Sequence, residues 1–403
     1  MSRYGNLLKT PGVARIIAAQ LTARFPNGML SLAYLLHVEH QLHSYGAAGL
    51  VLAATSAGQA ISGPLTTRWM GRWGMRQVLI LTTAGSTVAV FTIAFAQLNV
   101  IGYMIVGFLG GLSSPPVQSA VRTIYPKMVN SHQLAPLFAI DAAAQEIIWV
   151  AGPVITTFVS TQISTVLGIV VAGAFLVGGG IWFIASPEVG RVRIPRSTRS
   201  IGKVLTKRPV LLATIVGFLL IGACAAIEAS VVSVFGDSGA QAGIVLAIWS
   251  VGSLVGGLAL GNVPVGPWAL ARRMLLVFLG MTLAAFSFGN FWVLTAVLLV
   301  AGVGIAPSLA VMSTLVSASV RFSDTAEAYG WVGTGQLIGA AAGSAAAGFL
   351  IDANGSGGGF FVAAIFALIG FLFPTVFRRW SPDLRGKDHG PIPDTAPIPI
   401  QPT

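Results

Sequence analysis

From Pro209 to Gly236 the chain carries one charged side chain, Glu228. The stretch is apolar on every side, not along one stripe, and it exceeds the roughly 20 residues that a helix needs to cross a bilayer. Runs of the same texture recur from end to end. The chain is 55% hydrophobic and 9% charged, with a mean hydropathy of +0.82. A soluble domain carries roughly 25% charged residues, so this chain has too little polar surface to cover a water-soluble fold. In lipid every backbone group must be satisfied internally, which leaves helices or closed barrels. A barrel needs short alternating segments, and these runs do not alternate. The fold class expected is an all-α membrane protein.

The pattern predicts twelve spans, at about 12–38, 46–70, 76–96, 100–124, 133–159, 163–185, 210–234, 240–262, 271–289, 291–319, 326–350 and 357–377. The connections after the odd-numbered spans contain no Lys or Arg: HVEHQLHSYG, AQLN, STQIS, FGDSG, FGN and IDANGSGG. Every Lys and Arg except Arg24 falls on the other side. Positive charge stays inside, so both termini are expected in the cytoplasm and the protein in the plasma (inner) membrane. The first apolar run is too long for a cleaved signal peptide, and it carries Arg24.

Between the sixth and seventh spans lies PEVGRVRIPRSTRSIGKVLTKRP, with Arg191, Arg193, Arg196, Arg199, Lys203, Lys207 and Arg208 against one acid, Glu188. The division expected is an N-terminal six-helix half at 1–187, a basic cytoplasmic loop at 188–208, a second six-helix half at 209–380, and a disordered Pro-rich tail at 381–403. The net charge of +11 belongs to loops facing an anionic leaflet. The partners implied are membrane lipids and not nucleic acid. The single cysteine, Cys224, cannot form an internal disulfide. No HExxH, GxSxG or pair of acids in a soluble segment is present, so no enzyme, cofactor or metal site is expected.

The halves read as a repeat. Pro115-Pro116 in the fourth span is followed by Arg122, and Pro307 in the tenth by Arg321. Six plus six helices about a long basic loop resembles the major facilitator superfamily over nearly the whole chain. That family's signature between spans two and three is Gly, three residues, an acid, a basic residue, any residue, Gly, any residue, and two basic residues. Here Gly63, Arg68, Gly71, Arg72, Gly74 and Arg76 remain, while Thr67 or Gly71 stands at the acid's place, depending on register. The inner-gate lock thus lacks its usual carboxylate, and GNVPVGPWALARR between spans eight and nine lacks one too. Arg72 and Arg76 are expected at lipid phosphates. Of the antiporter pattern in span five, Gly152-Pro153 remains; a Gly-Pro also serves as a simple kink. The resemblance implies alternating access, a small-molecule substrate and, in this reading, a monomer.

Gly335, Gly339 and Gly343 form a four-residue ladder, as do Gly252 and Gly256. Such ladders admit close backbone contact and are expected between the two halves. His37, His40 and His43 with Glu39 mark either a wet helix end or a pH-sensitive outer gate.

Charge inside a span costs about 2.5–3.5 kcal/mol, which makes Arg24, Asp141, Glu146 and Glu228 the candidates for substrate and proton coupling. Counted from inner ends, Arg24 lies about 18 Å deep, Glu146 about 20 Å and Asp141 about 12 Å. Arg24 is therefore expected to pair with Glu146, shielded by Trp149 one turn on. Tyr103, Trp149, Trp249 and Trp331 are the aromatics at membrane depth and suit an apolar ligand. Proton-coupled export of a small apolar or amphipathic compound is the function expected. The alternatives are proton-coupled uptake of a polar or anionic metabolite, with Arg24 as the anion clamp, and a non-transporting receptor or scaffold.

Overall fold

A computed structural model describes residues 5, 7–195, 200–235, 241–261 and 263–394. Arg3, Arg196 and Arg199 of the basic set, the connection at 236–240 and the tail beyond 394 lie outside them.

The N-terminal half begins with α1 (Val13–Arg24) and α2 (Leu30–Leu42), parted by a 3-10 turn at Phe25–Gly28. Pro26, lacking an N–H, sits in that turn, so the expected first span is one broken helix. Next come α3 (Tyr45–Trp73), α4 (Met75–Phe95), α5 (Val100–Leu112), α6 (Val117–Ile124), α7 (Ser131–Gln162), α8 (Thr165–Ala185) and the short α9 (Pro187–Arg191). The second half holds α10 (Arg208–Phe235), α11 (Gln241–Leu260), α12 (Ala269–Ser287), α13 (Phe291–Gly302), α14 (Ile305–Ser317), α15 (Phe322–Asn354) and α16 (Ser356–Val376). The repeat is visible in the breaks. Pro115-Pro116 splits α5 from α6, and the chain breaks again between α13 and α14, where Pro307 lies in the first turn of α14.

Short polar connections supply the caps. Asn99 accepts from Gly102 N at 2.8 Å, and Asn290 accepts from Trp292 N and Val293 N. Asn130 and Gln133 form a reciprocal capping box at the start of α7. Gly74, at φ 94°, makes the turn from α3 to α4, a conformation that favours glycine.

Ten helical stretches among the described residues are long and apolar enough to cross a membrane. The broken α1–α2 and the Thr/Ser/Gln-rich α3, which ends in Arg68 and Arg72, fall outside that set. Large apolar side chains point outward along these helices, Val88, Ile101, Phe286 and Trp292 among them, as a lipid-facing surface requires.

Two corrections concern packing. The glycine ladders lie within the second half, not between the halves. Gly339 and Gly343 back onto the carbonyls of Phe218 and Gly222 in α10, and Gly252 and Gly256 onto those of Leu299 and Val303 at the broken span. Each pairs two helices of one half. The tail, expected to be disordered, is docked from Ser381 to Asp394. Leu384 N donates to Val265 O (3.0 Å), Ile392 N to Val320 O (2.9 Å), and Ser323 Oγ to Asp394 Oδ1 (2.6 Å). Its prolines remove donors, but Leu384 and His389 are buried and anchor it.

One large core joins the second half to α1, to the starts of α4 and α7, and to α6. A separate core of Ala33, Tyr34, Val38, Val51, Ile93 and Tyr103 serves the far end of the first half alone. The halves thus join on the face that carries the tail and the central loop.

Candidate functional site

The join is built from small residues. Gly63 of α3 and Gly330 of α15 approach so closely that a side-chain carbon on either would meet the other's backbone or a threonine hydroxyl. Thr334 Oγ1 donates to Ala60 O at 2.9 Å. One turn toward the basic face, Arg68 Nη1 lies 3.1 Å from Glu327 Oε2, and Glu327 Oε1 accepts from the backbone N of Gly202 in the central loop at 2.7 Å. Glu327 thus sets a carboxylate of the second half beside Arg68 of the signature stretch. In the sequence it sits at the inner end of span eleven, where an acid reads as a solvated helix start. Its signal was the Gly/Ala-rich helix that follows, which allows α3 to come near. Arg72 is exposed, and Arg76 Nε donates to Ile184 O at 3.2 Å. At the other end of the central loop Arg15 pairs with Glu188.

A second cluster is buried in the first half. Arg24 Nη1 lies 3.6 Å from Asp141 Oδ1 and donates to Gln20 Oε1 at 2.8 Å. Arg24 Nη2 donates to Gln145 Oε1 at 2.5 Å. Asp141 also takes Gln20 Nε2 (3.0 Å), Tyr125 Oη (3.1 Å) and Arg122 Nε (3.3 Å). The Gln118 amide, oriented to satisfy the group, accepts from both terminal nitrogens of Arg122 at 3.0 Å. The Arg122 guanidinium lies 5.9 Å from the ring centre of Tyr329 in the second half.

This overturns the expected Arg24–Glu146 pair. With the observed helix starts, Arg24 is eleven residues beyond Val13 and Asp141 ten beyond Ser131, about 16 Å and 15 Å deep. The depths match once α7 is seen to begin earlier. Asp141 and Gln145, four apart, share the face toward α1. Glu146 is turned about 100° further and accepts from Ser253 Oγ of α11 at 2.7 Å. Arg122, not among the charges expected inside a span, is 3% exposed.

Glu146 and Glu228 lie within electrostatic reach of each other, and Cys224 feels both. Glu228 is exposed although α10 is otherwise deeply packed. The aromatics expected at membrane depth lie in separate parts of the fold. Trp149 is 49% exposed and does not shield Glu146. Tyr103 is buried in the separate far-end core and donates to Ala96 O. Trp331 lies beside Gly202 of the central loop. Trp249 is buried one turn before Ser253. Gly152, with Pro153 next to it, packs on Gly28 at the break in the first span. His37 Nδ1 lies 3.1 Å from Thr165 Oγ1, buried in the helix packing. Among the described residues no group of His, Cys, Asp and Glu could hold a metal.

Two halves of long apolar helices joined at one face are the architecture of a multi-pass membrane protein. The sequence profile described as "Major Facilitator Superfamily" matches residues 16–261 and 224–399, and the chain belongs to that family. No curated protein matches it. Its structure is similar to a bacterial homologue of the iron transporter ferroportin in an outward-facing state, with TM-score 0.72 and 12% identity, over 92% of this chain and 99% of that one. It is also similar to the human organic anion transporter MFSD10, with TM-score 0.70 and 16% identity, over 90% and 100% of the two chains. At these identities the likeness is one of fold.

Proposed function

We propose that the chain is a proton-coupled secondary active transporter for a small organic anion, working by alternating access. The carrying observation is a set of charged side chains inside the first half and at its join with the second. Arg24 and Arg122 flank Asp141, while Glu146, bonded to Ser253 of the second half, lies within electrostatic reach of Glu228. With all three carboxyls ionised the interior holds one net negative charge. With Glu146 and Glu228 protonated it holds one net positive charge. Proton loading therefore converts a site that repels an anion into one that attracts it. Protons and anion then travel together, and the inward proton gradient drives uptake. The human organic anion transporter among the structural neighbours agrees with this class but supports only the fold.

Alternating access needs a face that opens, and the Arg68–Glu327 pair with the Gly63–Gly330 contact is the closure we assign to the cytoplasmic side. In this reading both termini are cytoplasmic. It counts α1–α2 and α3 as spans, twelve in all, in a plasma (inner) membrane, with Arg72 and the central basic loop toward lipid phosphates. The protein acts as a monomer in this account. Export of an amphipathic compound is the second reading, favoured by the close Gly152–Gly28 contact at the antiporter-like Gly152-Pro153. The receptor alternative rested on the missing acid, and Glu327 fills that role.

The test is uptake into proteoliposomes of radiolabelled lactate, citrate and benzenesulfonate, with benzenesulfonamide as the neutral control, under an imposed pH gradient. The anions are expected to accumulate with acid outside and the sulfonamide is not. Accumulation of the sulfonamide alone, or movement of the anions only outward against acid, contradicts the first reading.

A further inference from the structure

Ser253 of α11 is 1% exposed and stands where α7 of the first half, α11, and the break between α13 and α14 meet. Its Oγ accepts from Ala306 N at 3.1 Å and donates to Glu146 Oε1 at 2.7 Å. Ala306 is the second residue of α14, so its N–H has no acceptor within that helix. The break in the tenth span thus leaves a donor that the hydroxyl of a neighbouring helix takes up. A hydroxyl has a single proton. In Ser253 that proton goes to Glu146, the acid on the other side of the seam between the halves.

Glycines hold the hydroxyl at this point. Gly252 and Gly256 back onto Leu299 O and Val303 O, and Gly302 backs onto Trp249 O. Gly257, one turn from Ser253, packs on Ala139 and Ala143 of α7 and on Ala306. α11 is therefore fixed to the break of its own half, while α7 meets it through small residues and the Glu146 carboxyl.

Hydrogen bonds to an ionised acceptor are roughly twice as strong as neutral ones. The positive end of α14 lies behind the hydroxyl and adds to this. The Ser253 bond is thus strongest when Glu146 carries no proton, and it requires α7 and α11 to be together. Glu228 of α10 acts on Glu146 through its charge, and Ser250 of α11 also bonds the carboxyl. α8, α11 and α14 contain no titratable side chain. On α1, Arg15 pairs with Glu188, and Arg24 is taken by Asp141, Gln20 and Gln145. The titratable groups of α2 are Tyr34 in the far-end core, His37 against Thr165, and Glu39 and His40 in its last turn.

We propose that Ser253 is a positioning residue that ties the proton on Glu146 to closure of the seam: the deprotonated carboxyl clasps the hydroxyl and holds the basic face shut, and protonation loosens the clasp. This rests on the reading of Glu146 as a proton carrier and gives that reading its mechanical step. By linkage, the unloaded protein rests closed on the basic face, and proton loading from the other side releases it.

The test measures closure without any transported anion. Spin labels at His132→Cys of α7 and Ala259→Cys of α11, both exposed positions, report the distance across the seam in the full chain, with Cys224→Ala in the background. Pulsed double-resonance distances are taken in lipid nanodiscs at about pH 5 and about pH 9, on either side of neutrality. The ratio of closed to open protein is expected to rise about three- to tenfold from the lower to the higher pH. Ser253→Thr keeps the hydroxyl and should keep that shift. Glu146→Gln accepts the same bond with no change of charge and should abolish it. Ser253→Ala should abolish it too; if that variant does not fold, Glu146→Gln and Ser253→Thr still decide. No shift in the labelled parent, or a shift of parental size in Glu146→Gln or Ser253→Ala, overturns the proposal. Failure of anion uptake in the proteoliposome assay counts against the substrate and leaves this readout as it is.

Discussion

Arg68 and Glu327 meet at 3.1 Å across the seam between the two halves, the arginine 29% exposed and the acid 3% exposed. The acid also holds Gly202 N, so one carboxylate ties α3, α15 and the central loop. A hydrogen bond to a charged group is worth about 1.5–3 kcal/mol. Arg68→Gln or Glu327→Gln should shift the closed-to-open equilibrium of the basic face by roughly tenfold or more. Thiol labelling of Ala60→Cys in a Cys224→Ser background reads this: labelling should rise in either single variant and fall back in Arg68→Glu with Glu327→Arg. Equal protection in all four proteins contradicts the lock.

The Arg24–Asp141–Arg122 ion pairs make a stability prediction. Asp141→Asn leaves Arg24 and Arg122 facing each other without an acid, at a cost of about 3–5 kcal/mol. Glu146→Gln keeps an acceptor for Ser253 and should cost under about 1 kcal/mol. Thermal and denaturant unfolding of the two variants measures the contrast. Similar losses in both speak against the assigned partners.

How far the sequence reaches can be judged from these residues. Apolar length and the placement of basic residues gave the helical membrane class, the family and the repeat, because transfer into lipid acts on each span separately. Arg24, Asp141, Glu146 and Glu228 stood out since charge inside a span is costly wherever its partner lies. Their pairing was not legible. It depends on where α7 begins and on a one-residue rotation between Gln145 and Glu146. Glu327 was overlooked because an acid near a helix start looks solvated until another helix covers it. The glycine ladders showed close packing without naming the neighbour, and α10 proved to be it.

That neighbour gives a further test. Gly343 backs onto Gly222 O in α10. Gly343→Val must push the helices apart and should cost about 1–3 kcal/mol. Gly348→Ala, on the same helix with open space beside it, should be nearly neutral or slightly stabilising in unfolding assays. A neutral Gly343→Val would contradict the α10–α15 contact.

The docked tail should matter to its own face. Removing residues 381–403 strips the hydrogen bonds at Val265, Val320 and Ser323, and should increase hydrogen exchange at the start of α15. Side-chain hydrogen bonds from Arg385, above all, hold the Asp383 carboxyl down to about 2. A depressed carboxyl stabilises the fold above its unfolded value of 3.8 and loses that as pH falls toward 2. Exchange at the tail should thus show no dependence on this pair between about pH 5 and 8.

The central claim is that Glu146 and Glu228 carry protons with an anion. Proteoliposomes holding trapped pyranine, with no initial pH gradient, receive benzenesulfonate outside. This anion is permanently charged and brings no proton of its own across the lipid. The account predicts that the lumen acidifies as label enters. It also predicts that Glu146→Gln with Glu228→Gln abolishes the acidification while the folded protein still binds the anion. Entry of label with no pH change, or with the lumen turning alkaline, contradicts it.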